Sequence, residues 1–85
     1  MSYGDNPIIE AMRSAHWSSD ETGQQIWDSF KRDYVKMPAA QRREALRNVD
    51  TYLDQQTQIT RETASIVRQK RELSDIHLAL HRAGR

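Results

Sequence analysis

The sequence predicts an all-α protein of helical-hairpin or coiled-coil type: two short N-terminal helices followed by one long C-terminal helix, in a single small helical domain over 1–85. Three observations carry this. Apolar side chains recur at helical spacing near the N-terminus, Pro7 and Pro38 stand where helices start or stop, and from Pro38 to Arg82 there is no further proline and no glycine. The remaining composition is that of a small helical domain. Of 85 residues, 36% are hydrophobic, and Leu, Ile, Val and Phe together number only 15, so one modest core is all the chain can build. The balance of 13 basic and 12 acidic residues gives +1, which lacks the high net charge of a disordered chain and exerts no global pull toward nucleic acid or anionic lipid. With no cysteine, a disulfide-stapled module is excluded.

The first helix is expected over 7–16. Asn6 can cap it, Pro7 suits its first position, and Ile8, Ile9, Met12 and Ala15 fall on one face. The second is expected over 19–36. Ser18 and Glu21 have capping-box spacing, and Asp20 and Glu21 place negative charge on the first-turn amides. Its apolar face is Ile26, Trp27, Phe30, Tyr34 and Met37, and Pro38 ends it because the residue before proline is pushed out of the helical region. Ile26, Trp27, Phe30 and Tyr34 are expected to form the intrachain core with Leu46, Val49 and Leu53 of the third helix.

The third helix is read as continuous over 38–82, which at 1.5 Å per residue reaches roughly 65–70 Å. A break near Gln55–Gln58 would give a compact four-helix bundle instead. It ranks second because no helix-breaking residue stands there. Stepping by seven from Ala45 gives Tyr52, Ile59, Ile66, Leu73 and Leu80, all apolar, whereas stepping from Arg47 gives Asp54, Arg61, Arg68, Asp75 and Arg82, all charged. This pattern makes Ile59, Ile66, Leu73, Ile76 and Leu80 the candidate partner-binding residues. The flanking column of Gln56, Thr63, Lys70 and His77 is polar, and residues of that kind in a seam set register and oligomer choice.

Catalytic chemistry finds little footing. There is no Gly-x-Ser-x-Gly turn and no glycine-rich phosphate loop. His77 and His81 have a metal-ligand spacing, but neither a cysteine nor an intervening glutamate completes a site, so no metal and no cofactor are expected. Arg42, Arg43 and Arg47 form one basic cluster and Arg68, Lys70 and Arg71 another, each interleaved with acids. The expected function is therefore that of a non-catalytic structural or assembly subunit, which packs through its long helix into an oligomeric protein complex such as a virion or secretion-type particle. The alternative is a small nucleic-acid-associated or regulatory binding protein using the arginine clusters. The first residues show no basic start and apolar run of a signal peptide, and no stretch approaches the roughly 18 apolar residues of a membrane span. A cytoplasmic location, or a particle assembled in the cytoplasm, is expected.

Overall fold

The structure is a computed structural model that describes residues 7–85. It contains α1 (Pro7–Trp17), α2 (Asp20–Lys36), α3 (Ala39–Asp54) and α4 (Arg61–Arg82). The all-α class is found, but the two-plus-one arrangement is not. The expected long helix is broken at Gln55–Thr60 into α3 and α4, and the molecule measures 36 × 29 × 20 Å rather than 65–70 Å along one axis. The expected Asn6 cap lies outside the described residues.

Local chemistry secures the two ends of the break once the chain has turned. Thr60 is the N-cap of α4, its Oγ1 accepting from the Thr63 amide at 3.1 Å, and Glu62 places a negative charge in the first turn. On the other side, the amides of Gln55 and Gln56 turn back to the carbonyls of Tyr52 and Leu53, closing α3 tightly. Tertiary burial then outweighs the helix propensity that would have kept 55–60 helical. Folding back brings Val49 of α3 and Ile66 and Leu73 of α4 into one core with Ile8, Ile9, Met12, Trp27 and Tyr34.

The α3–α4 pair is antiparallel: Tyr52 meets Glu62, Asp50 meets Lys70 and Arg42 meets His77. α1 lies across α2, α3 and α4, while α2 packs on α1 and α4 and reaches α3 through the Tyr34 hydroxyl. Trp27, Phe30 and Tyr34 form a ladder along α2, with Trp27 and Phe30 stacked at 5.7 Å and Phe30 and Tyr34 tilted at 6.3 Å.

The helix ends are set by named groups. The α2 cap is Ser19, which accepts from the Thr22 amide, whereas the expected Ser18 instead donates to the Ser14 carbonyl. Pro38 stops α2 as expected, yet it precedes α3 rather than lying inside it. α4 ends in a Schellman turn: Gly84, at φ 79°, donates to the His81 carbonyl, and Arg85 donates to the Leu80 carbonyl at 2.8 Å.

Candidate functional site

Two polar clusters mark the two ends of the bundle. At the first, α1 finishes beside the start of α4. Glu62 forms an ion pair with Arg13 at 3.2 Å, accepts from the Trp17 indole Nε1–H and is met by the Tyr52 hydroxyl at 3.5 Å. Burial, then the Glu62 charge, raises the Tyr52 phenol above its ordinary value of 10, with Arg13 opposing. His16 approaches the Ser65 hydroxyl at 3.1 Å and meets the Trp17 ring edge-on at 5.0 Å. The indole is thereby held in place, yet 72% of Trp17 is exposed. Ile59, three residues before Glu62, is 88% exposed, so the two most exposed large apolar side chains among the described residues belong to the same end.

At the opposite end, Arg42 is 2% exposed. Its Nε donates to His77 Nδ1 at 3.2 Å, Nη1 donates to the Met37 carbonyl and Nη2 to the Arg85 carbonyl oxygen. Tyr34 donates to the Arg42 carbonyl at 3.3 Å, and burial pushes its phenol up to about 12 against the opposing Arg42 charge. Among the described residues no carboxylate side chain pairs with Arg42. His77 and His81 lie with ring centroids 6.3 Å apart, and no group of three or more His, Cys, Asp or Glu among the described residues is placed to hold a metal ion.

A cleft of about 620 Å³ opens between α1, α2 and α4. Its walls include His16, Gln24, Arg68, Gln69 and Asp75, and Trp27 lines it while donating its indole N–H to Glu72. Gln69 Oε1 is buried there without a hydrogen-bond partner.

The residues singled out from the sequence are distributed as follows. Of the apolar column, Ile66 and Leu73 are fully buried inside this chain, Ile76 is packed against them, Leu80 is half-buried and Ile59 is exposed in the linker. Of the polar column, Thr63 is buried and meets the Thr60 hydroxyl, Lys70 pairs with Asp50 at 2.8 Å and His77 accepts from Arg42, so these three bond within the chain, as the fourth does too. Gln56 is exposed and caps the Tyr52 carbonyl. Trp27, Tyr34 and Val49 are buried, Phe30, Leu46 and Leu53 pack against them and Ile26 is half-buried. Sequence reasoning missed the roles of Trp17 and of Arg42. A signal for Arg42 existed: it precedes Ala45, Val49 and Tyr52 at i+3, i+7 and i+10, on the apolar side of its own helix.

The fold is that of a small helical bundle. No family model, no curated protein and no solved structure matches the chain. No helix among the described residues is long and apolar enough to cross a membrane.

Proposed function

We propose that the protein is a non-catalytic association module that assembles with further copies of itself through the end of the bundle bearing Trp17 and Ile59. The observation that supports this is the pair of large apolar side chains left in water at one end, with the indole already fixed by Glu62 and His16. A tryptophan fixed in its contact pose loses little conformational freedom on docking, which is why such residues anchor interfaces. A net charge of +1 sets little repulsion between copies. One aromatic ring buries roughly 150–250 Å², well below the 1,200 Å² of a standard interface, so a weak and concentration-dependent contact is the fitting scale.

Sedimentation equilibrium over a wide concentration range tests this reading. The average mass should rise above the 9.9 kDa of one chain, and Trp17→Ala combined with Ile59→Ser should hold it there with helix content unchanged. A wild-type mass of one chain at every concentration would sink the proposal. The second reading, contact with a nucleic-acid backbone, rests on Arg61, Arg68, Arg71 and Arg82 of α4, all exposed and none in an ion pair among the described residues. Salt separates the two, because phosphate contacts weaken steeply as salt rises and apolar contacts do not.

A further inference from the structure

We propose that Arg42 and His77 form an acid-sensitive latch, in which protonation of His77 removes the acceptor used by Arg42 and frees the last turns of α4 from the start of α3. The geometry sets the protonation state. His77 Nδ1 accepts from Arg42 Nε, so that nitrogen carries a lone pair and the closed latch requires a neutral imidazole. A proton on Nδ1 would place an N–H donor against an N–H donor and a second cation beside a guanidinium that is 2% exposed.

The surroundings offer the imidazolium no relief. Arg42 and Arg43 face it from α3 and His81 from its own helix, while the α2 side contributes the neutral Tyr34 hydroxyl and the Met37 carbonyl, both engaged with Arg42. Among the described residues no Asp or Glu side chain pairs with Arg42, Arg43, His77 or His81, and the Arg85 backbone oxygen reaches Arg42 rather than the imidazole. Burial first, then Arg42, His81 and Arg43, hold His77 below its ordinary value of 6.5. A histidine depressed in the closed state and ordinary in the open one binds its proton more readily when open. The latch is therefore fully closed above pH 6.5 and weakens as the pH falls through 6.5 toward the depressed value. Arg42 also holds the Arg85 carbonyl that the Schellman turn presents to it, so loosening α4 at His77 loosens that turn as well.

Two measurements on the full chain test the latch. In the first, the imidazole resonances of His77 and His81 are followed by NMR through the acid range. His77 should titrate below 6.5, and a midpoint at or above that value overturns the proposal. In the second, amide exchange protection of residues 73–82, corrected for the intrinsic rate, is compared at pH 7.5 and pH 5.5. Wild type should lose protection through proton linkage, by up to about tenfold. His77→Asn, whose Oδ1 can stand where Nδ1 stood, should lose almost none, and His81→Asn should keep most of the wild-type loss. An equal loss in His77→Asn and wild type overturns the proposal. Should His77→Asn prove unfolded at pH 7.5 by circular dichroism, the wild-type titration midpoint decides alone.

Discussion

Gly23 tests how closely α1 and α2 approach. It lies inside α2, buried, and a Cβ built on it would fall well inside van der Waals contact of the Ala15 carbonyl oxygen and 3.3 Å from the carbonyl carbon. Two effects oppose each other in Gly23→Ala. Removing a glycine from a helix interior is worth roughly 1 kcal/mol in propensity. Against that, the obstructing atom is backbone, so relief requires α1 to move off α2 and to carry Ile8, Ile9 and Met12 partly out of the core. Overpacking of this kind costs about 1–3 kcal/mol, with the upper end expected because no side-chain rotamer change can absorb it. The net expectation is a loss of about 2 kcal/mol, which in a domain of this size lowers the melting temperature by roughly 8–16 °C. Urea unfolding followed by circular dichroism reads the loss, and Ala64→Gly at an exposed position of α4 calibrates the propensity contribution. If Gly23→Ala matched or exceeded wild-type stability, the close crossing of α1 and α2 would be wrong.

Two further substitutions probe the other end of the bundle. Arg42→Met keeps an apolar stem but orphans His77 Nδ1 and the Met37 and Arg85 carbonyls, and should cost about 2–4 kcal/mol, with Lys no substitute because one ammonium cannot serve three separated acceptors. Chemical denaturation measures it, and a loss below about 0.5 kcal/mol would show that solvent already satisfies those acceptors. Phe30→Ala removes the middle rung of the α2 aromatic ladder. Because Phe30 is only half-buried, about 1.5–2.5 kcal/mol is expected rather than the 3–5 kcal/mol of a full core site, and thermal unfolding distinguishes the two.

The parts of the fold that could be read from the sequence are those with strong local causes. Pro38 ends α2, the pair Asp20-Glu21 opens it and the spacing of Ile8, Ile9 and Met12 marks the buried face of α1. The break at Gln55–Thr60 had no such cause. Thr57 and Thr60 weaken a helix only slightly, and Thr60 acts as a cap only once the chain has turned. The heptad column was real as a pattern, but it contained no information about which surface would cover it. Tyr52, Ile66 and Leu73 turn inward on either side of the break, and Ile59, within it, is left in solvent. The site at Glu62 was hidden for a related reason, since Arg13 and Trp17 reach it only when α1 docks on α4, and Tyr52 only when the α3–α4 hairpin closes.

The burial of Arg42 follows from the same shortage of apolar residues that keeps the core small. Among the described residues it is the largest of the fully buried side chains, in a chain with only 15 Leu, Ile, Val and Phe. A buried cation ordinarily needs an Asp or Glu side chain, and none is paired here among the described residues. What faces it is carbonyl oxygen from two helix ends: Met37 closes α2, and Arg85 follows the Schellman turn of α4. Helix C-termini carry partial negative charge and unsatisfied carbonyls, so their convergence supplies both the potential and the acceptors that a carboxylate would have given. The third acceptor, His77, is the exception, because it alone of the three can take up a proton in mild acid. Compensation by these backbone oxygens is unchanged in mild acid, whereas the His77 contact is not, and this difference confines the mild-acid response to the junction of α3 with the end of α4.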